Sequence, residues 1–268
     1  TTASLLTIAL AASPVFAQGD DADFSSPDFT LDIPASFFSE YRLPNGGGTT
    51  LGIPTGQGAA FGAAFIGGGM TNRAPFSESA DGGFSGGLGL WDPILAVGIE
   101  MTVGLSDVSE MDNANFAIKV HRDLGGGFYA AAGASNLGVD KTESDLDDPF
   151  YYGVISHVFQ GTGRPGVGRV FATVGYGNGP YLNLSPLDVA EGNGTDGTGV
   201  FGALAVEVLP NVNAIGEWNG RNFATGVGFL VPFAGLPVSL TVGLADLTGY
   251  SGDGARLTVG GGLGMQLF

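Results

Sequence analysis

The sequence predicts a transmembrane antiparallel up-and-down β-barrel of about twelve strands. Three observations lead to this fold class. Charged residues make up only 13% of the 268-residue chain, and mean hydropathy is +0.26. No stretch after the N-terminus resembles a spanning helix of roughly 20 apolar residues. Apolar residues alternate with small ones in many segments, and only helices and closed barrels satisfy the backbone in lipid.

The alternation is clearest in residues 238–245. One face carries large apolar residues and the other carries small ones, in the order Val238, Ser239, Leu240, Thr241, Val242, Gly243, Leu244 and Ala245. A soluble antiparallel sheet usually places charged residues on its wet face. The chain instead spreads many of its 49 glycines through the strands, which favours a membrane barrel over the alternative of a glycine-rich soluble sandwich.

Residues 1–17 are predicted to be a signal peptide that is cleaved after Ala17. They contain a short apolar core at 5–12 and a small-residue cleavage pattern at 14–17. The charged region that normally precedes such a core is missing, so we expect the initiator to lie a few residues upstream. An exported chain without cysteine has no disulfide framework. Export and a lipid-facing barrel together predict an outer-membrane location.

Residues 18–57 are acidic, rich in proline and do not alternate well. Proline removes donors from a strand ladder, which argues against strands here. We expect either a periplasmic or lumen-docked segment or a loosely ordered acidic tail. The barrel is then predicted to occupy residues 58–268.

Twelve segments of about ten residues match the length that a tilted strand needs in lipid. They are 59–69, 82–91, 94–105, 114–122, 127–138, 150–160, 168–177, 199–209, 212–219, 222–231, 237–245 and 256–268.

The connections between these segments alternate between long and short, with the turn at Asn219 as the exception. Outer-membrane barrels have long external loops and short periplasmic turns, so the odd connections are predicted to face the cell exterior. They hold more than half of the 26 acidic residues, in a chain of net charge −17. This charge excludes nucleic acid as a partner. A solvated acidic rim is expected, with cation bridges to lipopolysaccharide as the alternative.

Strand parity predicts which charged residues point into the lumen. Apolar neighbours such as Met101 and Val120 face lipid, so the residues between them face inward. The predicted lumen-lining residues are Glu100, Lys119, His121, Arg169, Glu207 and Glu217. Two explanations stay open: paired charges that stabilise a filled barrel, or charges that line a small aqueous pore.

The sequence does not favour an enzyme. Ser156 and His157 are adjacent, so in a strand they point to opposite faces and cannot form a dyad with each other. No G-x-S-x-G motif or metal-ligand spacing is present. The acidic residues at 140–148 lack the spacing of a calcium loop. We therefore expect no catalytic residue, metal or cofactor.

Several segments carry a family resemblance: 53–55, 65–69, 72–73, 216–229, 236–249 and 252–256. They resemble a group of cyanobacterial outer-membrane barrels and, more distantly, YjbH-like outer-membrane barrels. The resemblance covers roughly residues 50–268 and implies an outer-membrane barrel. The YjbH-like branch is associated with exopolysaccharide production in larger proteins.

The predicted function is a porin-like outer-membrane barrel that serves as a narrow channel or a binding barrel for small solutes. The alternatives are an accessory barrel in exopolysaccharide export and a structural surface barrel without a conduit. The expected partners are outer-membrane lipid, small solutes and possible lipopolysaccharide. The oligomeric state stays open.

The last strand has an inconsistency in its register. Terminal Phe268 has the aromatic character expected of a barrel, but its parity differs from that of the apolar residues Leu263, Met265 and Leu267. We expect either a bulge near residues 260–262 or a degenerate terminal pattern.

Overall fold

The protein forms a closed barrel of twelve antiparallel strands. The structure is a computed structural model. It describes residues 48–73, 80–105, 114–138, 149–161, 168–184, 189–190, 192, 196–233, 236–249 and 254–267. The strands are β1 (Ala63–Thr71), β2 (Asp81–Leu90), β3 (Gly98–Leu105), β4 (Ala114–Gly125), β5 (Phe128–Leu137), β6 (Phe150–Phe159), β7 (Val170–Gly177), β8 (Val200–Leu209), β9 (Val212–Trp218), β10 (Phe223–Phe233), β11 (Leu236–Ala245) and β12 (Arg256–Gln266).

Each strand pairs with its neighbours in the chain, and β1 pairs with β12 to close the sheet. This is an up-and-down topology. The predicted all-β antiparallel barrel of twelve strands is confirmed. A 3₁₀-helical turn, Gly179–Tyr181, lies between β7 and β8. None of the described residues form a helix that is long and apolar enough to cross a membrane.

Two predicted strands begin too early. Residues 94–97 are not part of β3, because the Asp92 carboxylate accepts the N–H groups of Ile94 and Leu95 and closes a turn there. Residues 59–62 are not part of β1. In both places an apolar or small residue continues the alternation, but hydrogen bonds outside the ladder hold the backbone in another conformation.

The register of β12 is regular on both sides. Gly260, Gly261 and Gly262 pair with successive residues of β1 and of β11. The bulge that was considered for this stretch is therefore absent, and that alternative was wrong. Phe268 lies outside the described residues.

The two ends of the barrel differ in their connections. One end, called here the loop end, holds the connections after the odd-numbered strands, including 178–199 and 246–255. The other, called the turn end, holds the connections after the even-numbered strands, the start of β1 and the end of β12. One of its tight turns joins β4 to β5 through Gly125, Gly126 and Gly127, whose φ angles of 79°, 62° and 84° suit glycine.

The outer face of the barrel is apolar. Exposed aliphatic side chains occupy its middle: Ile66, Met101, Ile118, Ile155, Val174, Leu204, Val227, Leu240 and Val259. Within the described strands, Arg122 is the charged residue whose side chain is exposed on this outer face. The charged residues of the strands otherwise point inward or lie at strand ends.

Aromatic side chains surround both ends of this apolar band. At the loop end the exposed aromatic residues are Phe84, Phe116, Tyr151, Tyr176 and Phe223. At the turn end they are Phe61, Trp91, Phe128, Phe159 and Phe233. These two sets are called the aromatic belts below.

A buried ion pair fastens the two ends of the loop between β11 and β12. Arg256 Nη1 lies 3.1 Å from Asp246 Oδ2, and the side chains are only 5% and 1% exposed. Asp246 lies in one of the odd connections, whose acidic residues were expected to form a solvated rim, but its side chain is buried. Many of the other acidic loop residues lie outside the described ranges.

We predict that Asp246→Asn destabilises the barrel by about 3 kcal/mol, because Arg256 keeps its charge in a buried site without its counter-ion. Asparagine tolerates the positive φ of 65° at this position, so the backbone is spared. Urea unfolding in detergent micelles measures the change. In the double variant with Arg256→Met, the cost should be smaller than in Asp246→Asn alone. Equal costs would contradict a coupled pair.

Candidate functional site in the barrel lumen

The lumen of the barrel contains a stretch of the chain itself. Residues 48–62, called here the lumen segment, precede β1 and run through the inside of the barrel to the turn end, where the Phe61 side chain is exposed. Residues 53–59 are all buried, with Ile53 at 1% and Ala59 at 0% exposure. Residues 48–57 were assigned to the N-terminal segment of the sequence. Residues 18–47 lie outside the described part of the chain, so the predicted domain boundary at 57 stays a prediction.

The lumen segment follows a U-shaped path. Gly48 contacts Gly228 in the middle of β10, and Leu51 contacts Gly226 and Gly243 closer to the loop end. The chain then reverses and runs back along the opposite wall to the turn end. There the Gly62 carbonyl accepts the N–H of Leu267, just after β12.

The apex of the U is bound by Glu217, which points inward from β9. The Leu51 N–H donates to Glu217 Oε2 at 2.6 Å. The N–H groups of Gly52 and Ile53 donate to the same carboxylate. A carboxylate that accepts several backbone N–H groups forms charge-assisted hydrogen bonds, which are among the stronger ones in proteins.

Three further wall side chains bind the returning arm of the segment. Ser156 Oγ on β6 accepts the N–H of Gly56 at 2.9 Å. Glu100 Oε2 on β3 accepts the N–H of Ala59 at 2.8 Å. His121 Nε2 on β4 lies 3.1 Å from the carbonyl oxygen of the same residue. A carbonyl only accepts, so His121 donates through Nε2.

The first arm of the U, which begins at Gly48, is bound by one side-chain amide and by close contact between backbones. Asn213 Nδ2 on β9 donates to the Gly48 carbonyl at 3.2 Å. Gly228 pairs with Asn213 across the β9–β10 ladder. It has no room for a side chain, because an added Cβ would overlap the Gly48 carbonyl. Gly89 on β2 is restricted in the same way by the Ala60 carbonyl. These wall glycines permit the close approach of two backbones.

Apolar side chains surround the apex. Ile53 packs in a buried cluster with Ala131, Phe150, Val154, Tyr181 and Phe201. Leu51 packs in a second cluster with Phe171, Ala205, Ile215 and Ala224. Tyr181 lies in the loop after β7, where burial raises the pKa of its phenol and the Glu217 carboxylate raises it further. The segment is therefore packed against much of the wall between β5 and β10.

The structure places the six predicted lumen-lining residues as follows. Glu100, His121 and Glu217 bind the backbone of the lumen segment. Lys119 is buried, with Nζ 3.9 Å from Glu100 Oε1. Arg169 and Glu207 pair near the turn end, with Nε and Oε2 3.1 Å apart. The charges thus occur largely in pairs, and three of the residues touch the chain's own segment rather than open space.

Two residues of the site were not predicted. Ser156 and Asn213 bind the lumen segment directly. Their inward parity was visible in the sequence, but neither carries a charge, so nothing distinguished them from other polar residues of the wall. The sequence did indicate that this segment approaches another backbone closely, through its glycines at 48, 52, 56 and 58.

The wall opposite the apex has almost no side-chain bulk. Two adjacent inward rows cross β11, β12, β1 and β2, and the register pairs their members directly. The rows are Ser239, Gly262, Gly67 and Ser85, and Thr241, Gly260, Gly69 and Gly83. All except Gly67 and Gly260 are half-buried rather than buried. This wall, called the glycine sector, leaves polar space beside the lumen segment.

At the turn end, this space is closed by the segment and β1. Ala59, Ala63 and Phe65 form a buried cluster there. The Phe65 ring lies against Gly87 of β2, where an added Cβ would come within 2.5 Å of Phe65 Cζ. Buried apolar side chains therefore occupy the lumen between the glycine sector and the turn end.

Ser156 and His157 lie on opposite faces of β6, as their spacing predicted. Ser156 is buried on the lumen side and its hydroxyl lies 2.8 Å from Thr173 Oγ1. The His157 ring packs between Phe128 and Phe159 of the turn-end belt, with centroid distances of 3.9 Å and 4.2 Å. The expectation that the protein is not an enzyme stays a prediction.

Neither a scan against protein-family models nor a search of curated proteins found a match to this chain. The resemblance to cyanobacterial and YjbH-like barrels therefore stays a prediction.

We predict that Gly228→Ala displaces the first arm of the lumen segment and lowers stability by about 1–3 kcal/mol, because the new methyl group overlaps the backbone at Gly48. Gly153→Ala is the matched control, since an added Cβ there meets nothing within 4 Å. Thermal unfolding in detergent compares the two. Equal melting temperatures would show that the lumen segment does not approach Gly228 in this way.

Proposed function

We propose that this protein is an integral outer-membrane β-barrel that admits small polar solutes to its lumen. The observation that carries the proposal is the outer face, whose aliphatic band lies between two aromatic belts. This arrangement is typical of barrels in lipid, where amphipathic rings lie at the two membrane interfaces. The exposed charge at Arg122 lies near the turn end, where a long side chain reaches the interface.

The size of the band supports the same proposal. Most strands contain about ten residues, and a strand of that length, tilted by about 40°, rises by roughly 25 Å. The apolar band of a transmembrane barrel has about that height. A soluble barrel would gain nothing from an aliphatic surface of this size.

The orientation follows from the two ends. We propose that the loop end faces the cell exterior and the turn end faces the periplasm, because long loops are external in such barrels. The acidic loops would then contact the lipopolysaccharide layer, where divalent cations can bridge like charges. The proposed signal peptide at 1–17 supplies the export step.

The class of solute follows from the glycine sector. Its inward groups are hydroxyls and backbone, with no charged or large apolar side chain in the two rows. Such a surface suits small polar solutes. The burial of the lumen segment favours a second candidate, a structural barrel without a conduit. An exopolysaccharide accessory role rests on the family resemblance alone.

The membrane proposal predicts different effects for one substitution at two sites. Leu240 lies in the middle of β11 and Leu244 near its loop end, and their side chains are 42% and 44% exposed on the same face. Leu240→Arg should cost about 2–4 kcal/mol, because the charge lies near the bilayer midplane, whereas Leu244→Arg near the interface should cost less than about 1 kcal/mol.

Folding into phospholipid vesicles, followed by urea titration and by heat-modifiable gel migration, measures both values. Two substitutions with equal small costs would indicate a water-soluble barrel, because both leucines are then equally exposed to water. That result would refute the membrane proposal while leaving the fold intact.

A further inference from the structure

We propose that the outer face of the barrel holds a phospholipid site at the turn end, with the lipid phosphate on Arg122 and an acyl chain along β5. The inference rests on the proposed function, since this face meets phospholipid only in a membrane. It goes further by naming one site on that face, the side chain that recognises the headgroup and the class of lipid.

The charge of Arg122 carries the proposal. Its side chain is exposed on the outer face of β4. Within the described part of the chain, its guanidinium has no hydrogen bond or ion pair. Two nearby carboxylates are engaged in turns instead: Asp123 Oδ1 accepts the N–H of Gly125 at 2.8 Å, and Asp92 Oδ1 accepts that of Ile94 at 2.7 Å. The guanidinium therefore keeps its donors for an external anion, and its planar fork matches phosphate.

Apolar side chains lie on both sides of this charge along the barrel. Val120 precedes Arg122 on the same face of β4 and is exposed. Beyond Arg122, toward the end of the barrel, Leu124 and Phe128 are also exposed. Leu95, in the turn between β2 and β3, is 81% exposed. The apolar surface thus continues past the charge, which places the guanidinium at the level of lipid headgroups rather than in open water.

A shallow groove runs from Arg122 along the outer face of β5. Its floor consists of the outward alanines of β5, which are Ala130, Ala132 and Ala134. Larger exposed side chains of β4 and β6 flank the floor: Val120, Ile118, Ile155 and Tyr151. Gly153 pairs with Ala132 and widens the groove, since an added Cβ there meets nothing within 4 Å. Ala130 pairs directly with Arg122, so an acyl chain in the groove has its headgroup beside the guanidinium.

The orientation of the barrel selects the source of the phosphate. In the proposed orientation the turn end lies in the periplasmic leaflet, where phospholipids are found, whereas lipopolysaccharide occupies the outer leaflet. A phospholipid supplies both parts that the site requires, an anion for Arg122 and an apolar chain for the groove. Hydrogen bonds between a guanidinium and phosphate are charge-assisted and are among the stronger ones in proteins.

The first experiment measures lipid binding to the full chain in detergent by native mass spectrometry. The probes are dioleoyl-phosphatidylglycerol and dioleoylglycerol, which share their acyl chains and differ in the phosphate. The native protein should bind the phospholipid roughly tenfold more tightly, because a hydrogen bond to a charged group contributes this much. Arg122→Gln should remove that preference, and Arg122→Lys should retain part of it, since lysine keeps the charge without the planar fork.

The second experiment tests the groove with a matched pair of variants. Ala132→Phe fills the floor of the groove, and Ala214→Phe adds the same ring to an exposed outward position of β9. Ala132→Phe should weaken binding of both probes several-fold, whereas Ala214→Phe should bind them as the native protein does. Equal losses in the two variants would show that the acyl chain does not lie along β5. Heat-modifiable gel migration verifies that each variant is folded.

The outcomes separate the lipid site from the proposed function. If the native protein does not insert into vesicles, the membrane proposal fails. If it inserts, and Arg122→Gln keeps the native preference for the phospholipid, the lipid site alone is refuted. Displacement of the phospholipid by an excess of inorganic phosphate would show that Arg122 binds a free anion, and this result would also overturn the inference.

Discussion

The structure depends on closure of the sheet between β1 and β12. Closure satisfies the edge strands, and it also creates an interior that must be filled. A barrel of about eight strands can be filled by its own side chains, whereas much larger barrels contain water. Twelve strands with many inward glycines lie between these cases. The lumen segment fills the part of the interior beside β5–β10, and the glycine sector stays partly open. The two halves of the lumen thus represent two solutions to one geometrical constraint.

Most of the fold was predictable because alternation with a period of two is a local property. It identified all twelve strands, and it predicted an inward position for Glu100 and Glu217, whose carboxylates bind the lumen segment in the structure. The errors occur where a non-local contact overrides the pattern. Residues 59–62 continue the alternation of β1, yet hydrogen bonds to Gly89 on the neighbouring strand β2 and to Glu100 on β3 hold the chain away from the regular ladder. Asp246 looks like an ordinary loop acid, and only the closed register shows that Arg256 lies beside it.

The site was less predictable than the fold for a related reason. Parity shows which residues face inward, but it does not show what they face. Glu100 and Glu217 were equally compatible with a charged pore and with a filled barrel. The deciding information is the position of residues 48–62, of which residues 48–58 have no periodicity that would predict a strand. Its glycines indicate close approach to another backbone, but they do not identify that backbone. Ser156 and Asn213 became significant only once the segment was located.

The chemistry of the wall has a consequence for the role of the lumen segment. Side chains that fill a barrel usually interlock with one another, and their removal leaves a cavity. Here polar side chains from four strands converge on the main chain of one segment, as a binding site does for a peptide. The segment resembles a bound ligand that is covalently attached to its receptor. Its attachment gives it a high effective concentration at the wall, which keeps the site occupied even if each hydrogen bond contributes little. The segment also carries Leu51 and Ile53 into two apolar clusters of the wall, so packing and hydrogen bonds hold it together.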